Sequence, residues 1–199
     1  MLYGPVRLVA SMLSSLLVLA ILGGCVPADR CLLARLIDRY TRDSSAGAEL
    51  LRHLTPAGSP CLGGCGNDPL NDTFAPAIQK LRPVLAKRLR DGDQEAWHIA
   101  IALREFTDGG LLEDVTATAA SGVSSRPSEY LRAARARPHS GALHVVGFLG
   151  EEFVDTPSSV RCKELKARLT SLAAVSDADL AALRDQSVQE LRRMVQPCR

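Results

Sequence analysis

The chain has 199 residues, with 24 Lys or Arg, 22 Asp or Glu and a formal net charge of +2. This near balance creates no field that would draw the protein to nucleic acid. Aromatic residues make up 4% of the chain, which leaves few rings on which bases could stack. A nucleic-acid partner is therefore not expected, and the length suits one domain with its own core.

An apolar run opens the chain and stops at a cysteine. It extends from Leu8 to Leu22, about 15 residues, which is shorter than the roughly 20 that a bilayer-spanning helix needs. Arg7 precedes the run, and two glycines and Cys25 follow it. A positive start, a short apolar stretch and small residues are typical of a secretory signal peptide.

The four residues Leu22-Gly23-Gly24-Cys25 resemble the lipobox of bacterial lipoproteins. This resemblance implies that residues 1–24 are a lipoprotein signal peptide, and that Cys25 becomes the first residue and carries fatty acids such as palmitate. Val26 in place of Asp implies the outer membrane, facing the periplasm. We expect a cell-envelope protein held to the bilayer by acylated Cys25, with an ordinary cleaved signal or an uncleaved anchor as the alternatives.

Residues 25–199 read as one all-α domain. Apolar residues at helical spacing predict helices over 30–42 and 44–54. A Gly- and Pro-rich loop with two cysteines follows at 55–70, and loops of this length are usually functional or held by a disulfide. Further helices are predicted from 71 with Pro83 inside the pattern, then over 94–106, 111–120, 127–137, 141–153, 160–174 and 176–195. No stretch predicts a strand.

Two segments of the chain resemble each other at an offset of 46 residues. Trp97 aligns with Leu143, His98 with His144, and Glu105 with Glu151. Paired helices at such a period are typical of helical repeat arrays. The stretch 85–110, in which two helices are joined by a DGD turn, resembles a HEAT unit. This resemblance implies two HEAT-like repeats over 74–155 in a short α-solenoid, capped by a C-terminal helical hairpin at 156–199.

The six cysteines are Cys25, Cys31, Cys61, Cys65, Cys162 and Cys198. An exported protein enters an oxidising compartment, where cysteines pair by default. We expect a Cys162–Cys198 disulfide, because each residue lies near an end of the last two predicted helices, and a second bond within Cys31, Cys61 and Cys65. Acylation of Cys25 leaves one cysteine unpaired, whereas pairing of all six would exclude acylation. A zinc site needs four ligands, and no second cysteine pair has matching spacing, so we expect no metal.

Few residues of the sequence indicate a catalytic or ligand-binding site. The sequence has no GxSxG serine and no glycine-rich phosphate loop, and we expect no cofactor. Equivalent residues lie side by side in stacked repeats, so His98 and His144 are candidates for a shared surface. Arg132, Arg135 and Arg137 form an arginine cluster that suits an acidic partner or anionic headgroups.

These observations favour a non-catalytic, lipid-anchored envelope protein that binds another protein, as an adaptor, an inhibitor or an immunity factor. Helical arrays present concave surfaces that suit this role, although a fold does not determine a function. One alternative is an envelope hydrolase with a site near His98 and His144. Another is a structural envelope lipoprotein without a dedicated ligand.

Overall fold

The computed structural model describes residues 26–54, 60–63 and 73–198, with the backbone alone at 26–29 and 60–63. The predicted signal peptide 1–24, Cys25 and most of the loop 55–70 lie outside these residues. Among the helices described, none combines the length and the apolar composition that crossing a bilayer requires.

The protein is all-α, as its sequence predicts. Eight α-helices make up most of the described residues: α1 (Arg30–Arg42), α2 (Gly47–His53), α3 (Phe74–Asp91), α4 (Gln94–Leu103), α5 (Gly109–Ala120), α6 (Pro127–Ala136), α7 (Ser158–Ala173) and α8 (Ala181–Val195). Short 3₁₀ helices cover Ser44–Ala46, Ala142–Val145, Glu151–Phe153, Ala178–Leu180 and Gln196–Cys198. Pro83 lies within α3 without ending it.

Two strands of four residues each are present, one before α1 and one after α2. They are β1 (Val26–Asp29) and β2 (Pro60–Gly63), which pair in parallel with Val26 opposite Pro60. The sequence predicted no strand, because four residues are too few for an apolar alternation to show. The pairing brings part of the cysteine-containing loop beside the residues that directly follow Cys25.

The helices stack in two layers. In one layer α1 packs against α3, and α3 against α5; in the other α2 packs against α4, and α4 against α6. Helix α4 is the centre of the core, since every residue from Ile99 to Leu103 is buried. The Trp97 ring on α4 meets the Tyr130 ring on α6 edge-on, with 5.9 Å between centroids. Helices α7 and α8 pack against each other and against α6.

A short turn joins α3 to α4 across the two layers. Gly92 ends α3 with a φ of +86°, in the left-handed region that glycine adopts readily. The Asp93 carboxylate then accepts a hydrogen bond from the Ala96 amide at 3.1 Å and caps α4. The predicted turn at 91–93 is therefore confirmed in its position.

The predicted helix over 141–153 is wrong, because this segment forms two 3₁₀ turns separated by irregular backbone. In an α-helix its carbonyls would accept hydrogen bonds from amides four residues later. Here, side chains from other parts of the fold bind several of them. Arg104 donates to the carbonyls of Ser140 and Gly141, at 3.2 and 3.1 Å.

Two more side chains hold the same segment. The Tyr130 hydroxyl donates to the Ala142 carbonyl at 2.8 Å, and burial raises the pKa of Tyr130 far above its usual value, which keeps the hydroxyl protonated. Arg168 donates to the carbonyls of Val146 and Phe148 at 3.2 and 2.7 Å. Side chains therefore supply hydrogen bonds that these carbonyls would receive from main-chain amides in a helix.

The observed stacking follows a different register from the 46-residue offset. Helix α3 begins at Phe74 and α5 at Gly109, 35 residues later. The predicted offset instead pairs α4 with the 3₁₀ turns, so that Trp97 is fully buried in an α-helix while Leu143 is half-buried in a 3₁₀ helix. Helix α6, and not 142–155, neighbours α4 in its layer.

A disulfide joins Cys162 and Cys198, whose Cα atoms are 5.6 Å apart, as the sequence predicted. It ties the C-terminal 3₁₀ helix to the first turns of α7. Cys31 is disulfide-bonded as well. The side chains of Cys25, Cys61 and Cys65 lie outside the described residues, so the pairing among Cys25, Cys31, Cys61 and Cys65, and the acylation of Cys25, stay predictions.

We expect loss of the Cys162–Cys198 bond to lower the free energy of unfolding by about 2–4 kcal/mol, because the bond restricts a long loop in the unfolded chain. The measurement is urea unfolding of the Cys162→Ser/Cys198→Ser double variant. A nearby surface change, Lys163→Ser, is the control. Equal stability of the double variant and the control would contradict the prediction.

Candidate functional site

The structure places the two candidate histidines in unlike surroundings. His98 is half-buried on α4, with its Nε2 3.3 Å from the amide nitrogen of Gln94. His144 is exposed on the 3₁₀ helix Ala142–Val145. Within the part of the chain that the structure describes, no group of three or more His, Cys, Asp or Glu side chains could hold a metal ion.

His98 has an electrostatic environment that opposes its protonation. Burial lowers its pKa below the ordinary value of 6.5, and the positive charge of Arg137 lowers it further. The folded protein therefore favours neutral His98.

This environment predicts a loss of stability in mild acid. The unfolded chain binds the His98 proton more readily than the folded one, so stability is full above about pH 6.5 and falls as the pH drops through the folded-state pKa. Gln is neutral at every pH. In His98→Gln the melting temperature should therefore fall less between pH 7.5 and pH 5 than in the unaltered protein. The exposed His144→Gln is the control, and an equal pH slope in all three proteins would contradict the prediction.

The arginines proposed as a partner surface bind within the chain. Arg132 lies 3.5 Å from Asp177, and Arg135 donates to the Asp179 carbonyl at 3.0 Å. Both contacts join α6 to the turn before α8. Arg137 pairs with Glu105 at 3.2 Å, and both side chains are mostly buried. These ion pairs connect neighbouring helices, and they leave Arg132 and Arg135 about half exposed.

Sequence reasoning missed two buried arginines, Arg104 and Arg168, whose contacts fix the 140–148 backbone. Arg168 is 1% exposed and also pairs with Glu164 at 2.8 Å. Arg104 also binds the Thr116 hydroxyl. An i, i+4 Glu-Arg pair was visible in the sequence, but such pairs usually lie on solvated helix faces, so nothing indicated burial.

An open groove of about 360 Å³ runs between α3 and α5. Its α3 wall consists of Gln79, Arg82, Pro83, Ala86 and Arg90. Ala117, Thr118 and Ser121 form the α5 side, and Glu152 closes one rim. Small residues on both helices make the groove possible, because Ala86 and Ala117 leave space where larger side chains would fill it.

Two arginines line the groove, and they differ in whether a carboxylate of the described residues pairs with them. Arg82 pairs with Asp114 of α5 at 2.7 Å, and the same carboxylate accepts a hydrogen bond from Gln79 at 2.6 Å. The Arg90 guanidinium, by contrast, has no carboxylate partner among the described residues, although its main-chain carbonyl accepts a hydrogen bond from Arg126 Nε at 3.1 Å. The C-terminal end of α3 therefore presents to the groove a cation that forms no ion pair with the described residues.

The Arg126 side chain crosses Gly92 to reach this end of α3. A Cβ at Gly92 would lie 3.1 Å from Arg126 Nε, which adds a second reason for glycine there. Asp91 is nearby but binds Lys87 at 2.6 Å. That hydrogen bond lowers the pKa of Asp91, and the charges of Arg90 and Arg126 lower it further, so this carboxylate stays ionised without neutralising both arginines.

Pro83 removes one main-chain hydrogen bond from the helix that forms the groove wall. Proline has no amide hydrogen, so it cannot bond the carbonyl of Gln79 four residues earlier, as a regular helix would require. Pro83 itself is exposed and lines the groove. The α3 wall of the groove thus presents a cation, a side-chain amide and an apolar proline ring along one helix.

Comparison with known proteins found no similar protein. No protein-family model, no curated protein and no solved structure matches the chain.

Proposed function

We propose that this protein is a non-catalytic, lipid-anchored envelope protein that binds another protein, as an adaptor, an inhibitor or an immunity factor. The observation that carries the proposal is the open groove between α3 and α5. Stacked helices commonly present such surfaces to protein partners. The apolar run that ends at Leu22-Gly23-Gly24-Cys25 supports the anchor.

The character of the groove suits recognition. Most of its lining residues are polar or charged, and Pro83, Ala86 and Ala117 are the exceptions, so the groove can orient a ligand by hydrogen bonds and charge. Arg82 and Gln79 are held by Asp114, so the wall is preorganised and little ordering is required on binding.

Site-specific crosslinking in cells tests the binding role. A photoreactive amino acid at Ala86, on the groove wall, should yield a defined crosslinked species whose partner is identified by mass spectrometry. The matched control is the same group at Gln189, which is exposed on α8. No species at Ala86, or the same species at both positions, would contradict the proposal and favour a structural lipoprotein.

The anchor is tested separately through Cys25. We expect Cys25→Ser to abolish lipid attachment, leaving unprocessed precursor or soluble protein in cell fractionation. Intact mass of the unaltered protein should show a cysteine N-terminus with acyl chains. Unchanged membrane association and unchanged precursor size in Cys25→Ser would contradict the anchor without affecting the groove.

A further inference from the structure

We propose that the groove binds an extended acidic segment of the partner, with a carboxylate of that segment bound by Arg90 at the C-terminal end of α3. This inference rests on the proposed function and specifies the chemistry of its binding site.

The unpaired Arg90 guanidinium at the end of α3 favours binding of an anion. Arg90 lines the groove, and within the described part of the chain no carboxylate pairs with its guanidinium. Arg126 reaches the same helix end through its bond to the Arg90 carbonyl. Two guanidiniums with one nearby carboxylate, which Lys87 already binds, leave a positive site. A carboxylate is a natural partner, because guanidinium binds it through two parallel hydrogen bonds.

The other arginine of the groove does not compete for this ligand. Arg82 is paired with Asp114 at 2.7 Å and is less than one-third exposed. Its charge is therefore already neutralised, and the pair acts as a fixed wall. The acidic group of the ligand is thus directed to one end of the groove, which gives the bound segment a single orientation.

The dimensions of the groove fit a short length of extended chain. From Gln79 to Arg90, α3 rises about 16 Å, at 1.5 Å per residue. An extended peptide covers that distance with about five residues. Ala86 and Ala117 line the groove between these ends, so a main chain can approach closely.

The shape and charge of the groove favour a peptide over an anionic membrane surface. A bilayer is flat and cannot enter a groove between two helices. Glu152 also lines the groove, near Ala117, where its charge would repel a continuous layer of phosphates. A peptide can place its carboxylate at Arg90 and keep uncharged atoms beside Glu152.

Peptide display tests the inference on the processed, detergent-solubilised protein. Ten-residue peptides selected from a random library should be enriched in Asp and Glu relative to the unselected library. In a selected peptide, replacing the critical Glu by Gln should weaken binding by about tenfold or more, as expected for loss of a charge-assisted hydrogen bond. Arg90→Gln should produce a similar loss, and the two changes together should cost little more than one.

Lys80→Gln is the matched control. Lys80 is an exposed cation on the same helix but does not line the groove, so its replacement changes the charge of α3 equally and should leave peptide affinity unchanged. The melting temperature of each variant shows that the fold is intact.

Several results would overturn the inference. They are selection of no peptide, selected peptides without acidic enrichment, affinity insensitive to Arg90→Gln, and equal losses from Arg90→Gln and Lys80→Gln. Binding to phosphatidylglycerol vesicles that depends on Arg90, without binding to peptides, would replace the peptide by a lipid surface. An Ala86 crosslink to a partner segment that lacks acidic residues would overturn this inference alone and leave the proposed function standing.

Discussion

Trp97→Ala is expected to lower the free energy of unfolding by about 3–5 kcal/mol, the range for removal of a large buried aromatic side chain. Trp97 is 0% exposed and lies on α4, which contacts helices of both layers. Its Nε1 is buried without a hydrogen-bond partner among the described atoms. The loss therefore comes from packing and from the cavity, since no side-chain hydrogen bond is broken.

Urea unfolding followed by circular dichroism measures this effect. Trp97→Phe keeps an aromatic ring against Tyr130 and loses no hydrogen bond, so we expect a smaller loss than for Ala. Gly122→Ala should also destabilise the protein, because the added Cβ would lie 2.8 Å from the Trp97 ring and overpacking is costly. A negligible change in Trp97→Ala would mean that the indole is not in the core.

Arg168→Met is expected to cost a similar amount, about 3–5 kcal/mol, as is typical when one partner of a buried ion pair is removed. Arg168 is 1% exposed. Its guanidinium donates hydrogen bonds to the Glu164 carboxylate and to the carbonyls of Val146 and Phe148. Met fills much of the same volume but leaves these acceptors without a donor.

The local consequence distinguishes this role from a general loss of packing. We expect faster amide hydrogen exchange in residues 142–150 of Arg168→Met, because the arginine holds that backbone directly. Arg193→Met is the control, since Arg193 pairs with Glu190 three residues earlier on its own helix but is 67% exposed, where ion pairs contribute little. Equal effects of the two substitutions would contradict the assignment.

Much of the helical pattern is visible without the structure. The apolar spacing in 30–42 and 127–137 predicts α1 and α6 to within one residue, because each of these helices buries one face and exposes the other. The turn at 91–93 and the Cys162–Cys198 pair follow equally from residue chemistry, since glycine permits a left-handed helix end and cysteines at adjoining helix ends can meet.

The tertiary structure decided the features that depend on distant partners. Residues 141–153 carry the apolar spacing of a helix, yet Arg104, Tyr130 and Arg168 bind their carbonyls from other elements. The groove arises from the packing of α3 against α5, and the pairing of Arg82 with Asp114 brings together residues 32 positions apart in the chain. Periodicity reports which face of a segment is buried, whereas the partner of a backbone carbonyl or of an arginine is set by chain packing. For that reason the sequence determined the helices, and only the assembled fold determined the 140–150 backbone and the charge of the groove.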